Sequence, residues 1–350
     1  MTRAGRETQA AESERRVLIP ERIAPPPFPG ELRVLAVKKL GGETMGTTWS
    51  VTLAVRPGTD PAPLRRGIEA VLARVIDEMS PWSPASHISR FNAAPAGSWH
   101  RLPAAFFKVL VAALAWAGRT DGAYDPTVGA AVNLWGFGPE PAHAAVPDAE
   151  TVYRARARAG WQRVVVDRET RSAMQPGGLS LDLSSIAKGF AVDEVARFLQ
   201  SQGVVNMLVE IGGELRGEGA KPDGTPWWVA LERPRAASAE PEIPETLLAL
   251  AGLSVATSGD ERRYFDVDGR RYAHTIDPAT GAPLTHDLIS VTAVAEDCMT
   301  ADAVATALLV LGPEKAPAFA VEHRLAARFV RRDGGRLAEQ LSPALAAMLD

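Results

Sequence analysis

Leu64, Ile68, Val71, Leu72, Val75, Ile76 and Met79 recur at helical spacing, and the run stops at Ser80-Pro81, where proline disfavours further helix. Ahead of it, Val34 to Val55 holds two short alternating runs around Gly41-Gly42, and the second, Thr47 to Leu53, has strand composition. The pattern predicts another helix from Pro103 to about Ala117, with Gly118 as its stop, then a structured loop without clean period from Gly122 to Gly138. A helix from Pro147 to Ala159 ends at Gly160, and Arg163–Asp167 and Leu179–Leu183 read as strands joined by a polar hairpin. Ser184 then caps a helix that turns Ile186, Phe190, Val192, Val195, Phe198 and Leu199 inward, stops near Gly203 and leads into a strand from Val205 to Ile211. Strand patterns return at Leu253–Thr257, in a hairpin from Tyr264 to Ile276 around Asp268-Gly269, and at Leu288–Ala295. Met299–Leu311 is helical, and the tail holds a helix, a Gly334-Gly335 hairpin and a short terminal helix, with no internal repeat.

At 350 residues, 46% hydrophobic and 23% charged, the chain is an ordinary globular protein of one large or two interlocked units. Lys and Arg number 38 against 42 Asp and Glu, so no cation excess is available to follow a nucleic-acid backbone. A single cysteine, Cys298, excludes an internal disulfide framework, a Cys-rich zinc site and a Cys-held iron–sulfur cluster, and reads as a packed thiol. No apolar segment reaches the roughly 18 residues that span a bilayer. Residues 1–32 are polar, mix both charges and lack a signal-like apolar run, so they read as a flexible tail ending in a Pro-rich stretch. The body, residues 33–350, is expected to be two interlocked α/β subdomains.

Three segments carry candidate chemistry. SLDLSSIAKGFAVDE (180–194) delivers a strand into a helix N-terminus bearing Lys188, where unpaired amides and a cation would seat an anion; its plain reading is a serine-capped turn with a solvated lysine. TADAVATALLVLG (300–312) places Asp302 and Thr306 on one helix face, half of an oxygen set suited to Mg²⁺, or simply a cap and a back-bonded threonine. RYAHTIDPATGAP (271–283) holds His274 at a strand end before the Asp277-Pro278 turn, where an imidazole could accept a proton, although a lone histidine is more often structural. Ser258-Gly259-Asp260 lacks the G-x-S-x-G elbow of a serine hydrolase. The glycine clusters at 41–50 and 210–219 permit close backbone approach to a ligand, and Trp82, Tyr124, Trp135 and Phe137 are placed to stack on a planar ring or to pack in the core.

Together these blocks resemble the ApbE-type FAD:protein FMN transferases, in one order from about residue 40 to residue 312. The resemblance is carried by ETMGTTWSV (43–51), MSPWSPASHISRFN (79–92), GAYDPTVGAAVNLWGFG (122–138), LDLSSIAKGFAVDEVARFL (181–199), EIGGELRGEG (210–219), TSGDERRYF (257–265), HTIDPATGAP (274–283) and TADAVATALLVLG (300–312). It implies an α+β fold with a mixed, largely antiparallel sheet and packed helices forming an FAD cleft. It also implies Mg²⁺-dependent transfer of the FMN part of FAD to a threonine or serine hydroxyl of an acceptor protein, with release of AMP. By matching positions, Met45, Trp82, Ala123, Tyr124, Asp125, Ser184, Phe190 and Ile276 would touch FAD, and the Ala187 carbonyl, Asp302 and Thr306 would hold Mg²⁺. Lys188 would lie near the phosphates, His274 would take the hydroxyl proton, and Asp277 would orient that strand end or assist it. Many relatives carry an export signal and a lipid-bearing cysteine, which the first 40 residues here lack, so a soluble cytoplasmic enzyme is expected. An FAD pyrophosphatase and a non-catalytic FAD-binding protein are the competing readings.

Overall fold

A computed structural model describes residues 15–21, 32–140, 146–234 and 243–350. Its spine begins with β1 (Arg16–Leu18) and the hairpin of β2 (Ala36–Thr44) and β3 (Thr47–Val55). Met45 and Gly46 turn that hairpin with φ of 49° and 70°, the left-handed pair of a tight two-residue loop. In the sequence the two alternating runs lie around Gly41-Gly42. Those glycines instead lie inside β2, because a Cβ on Gly42 would sit 2.8 Å from the Trp49 ring packed across it.

The chain continues through α1 (Ala62–Met79), α2 (His87–Asn92), β4 (Trp99–Arg101), α3 (Ala104–Arg119), α4 (Gly129–Leu134) and α5 (Ala149–Ala157). Then come β5 (Val165–Asp167), β6 (Ser172–Met174), α6 (Ala187–Ser201), β7 (Met207–Ile211), β8 (Glu214–Glu218), β9 (Trp227–Ala230), β10 (Thr246–Leu250) and β11 (Leu253–Gly259). The last part holds the hairpin β12 (Tyr264–Val267) and β13 (Arg270–Ala273), β14 (Ile276–Asp277), β15 (Ala282–Pro283), β16 (Leu288–Ala295), α7 (Cys298–Glu322), β17 (Ala326–Asp333), β18 (Arg336–Leu341) and α8 (Pro343–Ala346).

Eight strands pair in the order β18-β17-β16-β11-β8-β7-β3-β2, antiparallel at every step. Helices α6 and α7 pack against the sheet and against each other, and their apolar faces join one core with Leu53, Ile68, Phe106 and Val291. A smaller sheet, β1-β10-β9, packs through Leu18, Trp227, Leu248 and Leu250 onto Val255 and Val294. The α+β architecture that the resemblance implies is the observed one.

Two local expectations are corrected. Leu179–Leu183 alternates inward like a strand but forms only the single bridge of Ser180 with Val128, and β5 pairs with β6 instead. Its backbone groups are taken by loops and a side chain: Leu181 N–H donates to Asn92 Oδ1 at 2.8 Å and Asp182 N–H to the Pro126 carbonyl at 2.8 Å. Within the stretch read as an N-terminal tail, Arg16–Leu18 lies parallel to β10, with Leu18 fully buried and Arg16 bonded to Thr246 and Glu339. Residues 1–14 and 22–31 of that stretch lie outside the described residues.

Helix α7 also runs further than the Met299–Leu311 span read from the sequence, because Pro313 starts a second segment after a break at Gly312, where φ is 77°. By length and composition alone it could cross a membrane, contrary to the sequence expectation, but Ala301, Ala303, Val304 and Leu308 are buried against the sheet as in a core helix.

Candidate active site

The start of α6 is where the sheet, α7 and two loops converge. Ile186 precedes the helix without a side-chain cap, so the expected Ser184 cap does not form. Ser184 N–H instead donates to Asp182 Oδ1 at 2.7 Å, a local turn that leaves Ser184 exposed. Among the first-turn amides, Ala187 N–H donates to the Leu183 carbonyl at 2.8 Å, and Gly189 N–H donates to Asp302 Oδ2 at 2.9 Å. At this helix end the Gly189 amide is taken by the protein's own Asp302 carboxylate.

Gly189 permits this crossing. A Cβ there would lie 2.2 Å from the Cys298 carbonyl oxygen and 2.8 Å from Asp302 Cβ, so α6 and α7 touch backbone to backbone. Gly189→Ala is expected to lower stability by about 1–3 kcal/mol, the usual cost of overpacking, and to displace Asp302. A melting temperature equal to the wild type would show that the two helices are not held in this contact. Asp193 fastens the same junction: its buried carboxylate accepts the Cys298 and Met299 amides at 3.0 Å each and pairs with Arg216 at 2.8 Å. Asp297 caps α7 through Thr300 N–H at 2.8 Å, so Asp302 projects from a helix fixed at its origin. Cys298 is fully buried and burial pushes its thiol up, in keeping with a packed role.

Lys188 ion-pairs with Glu214 Oε1 and stands 4.0 Å from Asp302 Oδ1. Glu214 and Asp302 are 2% and 3% exposed, so two desolvated carboxylates share one ammonium and one negative charge is left uncompensated. Burial raises both acids, Glu214 to about 7, against the lowering pull of Lys188. Burial also works against the charge on Lys188, but Asp302 and Glu214 outweigh it and hold its pKa above the ordinary lysine value. Glu214 Oε2 is buried without a hydrogen-bond partner. Further along α7, Thr306 Oγ1 shares a hydrogen bond of 2.9 Å with Ser258 Oγ of β11.

The rim is built by loops. Tyr124 OH meets Ser185 Oγ at 3.0 Å, tying the 122–128 loop to the start of α6, while Asp125 accepts the Thr127 amide at 2.8 Å. Trp82 is 55% exposed, and the Arg263 guanidinium lies 5.8 Å from its ring centroid. His274 follows β13, and its backbone and Nδ1 both face the Arg263 carbonyl, at 3.0 and 3.2 Å. A carbonyl only accepts, so Nδ1 carries the hydrogen and Nε2 keeps a free lone pair. Burial, then the Arg263 charge, lowers the His274 pKa to about 4, which keeps the ring neutral near pH 7. The hairpin that delivers His274 is itself held by Phe265 and Tyr272 stacking with Trp135 and Phe137.

The expected FAD contacts divide by exposure. Met45, Trp82, Ala123, Asp125 and Ser184 keep accessible surface. Phe190 does not: its ring is 1% exposed inside the main core, so its side chain is a packing residue and cannot stack on a flavin. Tyr124 and Ile276 are likewise buried, Tyr124 with its hydroxyl spent on Ser185 and its pKa pushed up by burial, Ile276 in the cluster around Trp135 and Phe137. Asp277 builds the turn after His274, accepting the Ala279 amide at 2.8 Å. Glu214 and Arg263 carry no role in the sequence reading, and Ser258 enters it only in a serine-hydrolase triplet that lacks its elbow. For Glu214 a signal existed, an acid directly after the Gly212-Gly213 turn at an inward strand position, whereas the other two become visible only through packing.

Residues 45–329 match the model of the ApbE family. An FAD:protein FMN transferase of Vibrio cholerae serotype O1 is 42% identical over 287 residues, 82% of this chain and 85% of its own length. That of Escherichia coli strain K12 is 34% identical and covers 92% of each chain. Among solved structures, the apo flavinyl transferase ApbE of Pseudomonas stutzeri superposes with a TM-score of 0.82 at 39% identity, covering 90% of this chain and 97% of that one. The flavin transferase ApbE of Vibrio cholerae gives 0.83 at 37% identity, covering 90% and 100%.

Proposed function

Because this chain belongs to the ApbE family, we infer that it is an FAD:protein FMN transferase. The observation that carries the reading at this site is the pair of buried carboxylates, Asp302 and Glu214, around part-exposed Lys188 at the start of α6, with the Lys188 charge felt by neutral His274. The acceptor hydroxyl oxygen attacks the phosphorus that bears the riboflavin end. The bridging P–O bond of the diphosphate breaks, and AMP leaves with the electron pair. His274 Nε2 accepts the hydroxyl proton, Lys188 neutralises phosphate charge, and Trp82 offers a ring face to a planar group.

A divalent cation fits this site. The uncompensated charge and the orphaned Glu214 oxygen call for a further cation, and Asp302, Thr306 and the Ala187 carbonyl would hold Mg²⁺. Among the described residues no three His, Cys, Asp or Glu side chains form a metal cluster. One carboxylate, one hydroxyl and one carbonyl suit an ion that keeps positions for water and phosphate. When bound, Mg²⁺ supplies charge neutralisation at the diphosphate.

Incubation with FAD, Mg²⁺ and a candidate flavoprotein acceptor tests the reading. The acceptor band should become fluorescent in a denaturing gel, with AMP released in equal amount. Free FMN and AMP without labelling would identify a pyrophosphatase, and intact FAD a binding protein.

A further inference from the structure

We propose that Glu214 is a positioning residue for this reaction, a clamp that keeps the Lys188 ammonium against the diphosphate once a divalent cation occupies Asp302. The inference rests on the FAD and Mg²⁺ reading above.

Lys188 has two anionic neighbours, Glu214 in direct contact and Asp302 at 4.0 Å. A divalent cation on Asp302 neutralises the second and repels the ammonium at a separation of a few ångströms in a partly desolvated site, where like charges interact strongly. Lysine is a point charge on a flexible stem, and the Lys188 side chain is 30% exposed, so a route into solvent is open to it. Glu214 then remains as the group that holds it inside. The rest of Glu214 fits that single task. It opens β8 directly after the Gly212-Gly213 turn, its side chain is enclosed, and its second oxygen has no other partner. Arg262 reaches Glu214 only through its charge, since its hydrogen bonds go to the Gly212 carbonyl and to Glu232.

The proposal makes a prediction of unusual sign. An acid beside a diphosphate repels it, so Glu214→Gln would ordinarily tighten FAD binding. If Glu214 acts by holding Lys188, Glu214→Gln should weaken FAD binding about tenfold in Mg²⁺, matching Lys188→Gln. The double variant should be no weaker than either single one. Without Mg²⁺ the Glu214→Gln loss should nearly vanish, because Asp302 still holds the ammonium.

Equilibrium titration of the full chain with FAD, followed by flavin fluorescence with Mg²⁺ and with EDTA, reads all four proteins. Glu214→Asp, which keeps the charge but shortens the reach, should weaken FAD as well and covers a failure of the glutamine variant to fold. Unchanged or tighter binding by either variant in Mg²⁺, or additive losses in the double variant, would overturn the clamp while leaving the transferase reading intact. Absence of FAD binding by the wild type would overturn that reading and the clamp with it.

Discussion

Asp302→Asn is expected to cut FMN transfer by about 10³-fold or more while the protein stays folded. The loss follows from the site: Asp302 is the one carboxylate among the proposed metal donors, and phosphoryl transfer depends on neutralising the charge on the phosphates. The fold should survive because an asparagine oxygen can still accept the Gly189 amide that Asp302 now accepts at 2.9 Å. It should even gain, since the change removes one of two desolvated carboxylates that share Lys188. Transfer is read by in-gel flavin fluorescence, and stability by chemical denaturation in EDTA. A variant that retained transfer within tenfold of the wild type would sink the metal assignment. The same group sets a pH dependence. Glu214 and Asp302 have raised folded-state pKa values, so the stability each contributes is present below the ordinary carboxylate pKa and lost as pH rises through the folded value, about 7 for Glu214. Metal-free protein should therefore be less stable at pH 8 than at pH 6, by about 1 kcal/mol from Glu214. In Asp302→Asn, where Lys188 serves Glu214 alone, that difference should shrink.

What the sequence conveys about this fold and site follows the range of the forces involved. The helix at 62–79 is legible because burial there repeats at the helical period, and the strand at 288–295 because it is a short run rich in β-branched residues, buried almost throughout. The Leu179–Leu183 segment has the same inward alternation and is not a strand, since its hydrogen bonds go to Asn92 and Pro126, partners far away in the chain. The Gly41-Gly42 pair does not mark the β2–β3 turn, because Gly42 makes room for Trp49 rather than reversing the chain. In the site, Asp302 and Thr306 are recognisable from helical spacing alone. Their partners Gly189 and Ser258 come from a different helix and from a strand, and only packing brings them together. Phe190 marks the opposite limit: it lies in a motif of the resemblance, yet its ring belongs to the core. Position in a motif does not say which way a side chain points.

His274→Gln should lower the transfer rate by about 10²–10⁴-fold, the span general bases contribute, with FAD affinity within a few-fold of the wild type. Glutamine can still donate toward the Arg263 carbonyl, where Nδ1 now lies at 3.2 Å, but it offers no basic nitrogen in place of Nε2. The pH profile separates a proton acceptor from a mere spacer. A base must be unprotonated, and burial beside Arg263 lowers this imidazole to about 4. The transfer rate at saturating FAD and acceptor should therefore hold level as pH falls through the ordinary histidine range and decline only near 4, a limb missing from the glutamine variant. So weak a base cannot take the proton of a neutral serine or threonine hydroxyl until the P–O bond to the acceptor forms and acidifies it, so its effect should fall on the chemical step and leave binding alone. An acid limb near 6.5 would show that neither burial nor the Arg263 charge lowers this ring's pKa. Wild-type rates in the variant would remove His274 from proton transfer altogether.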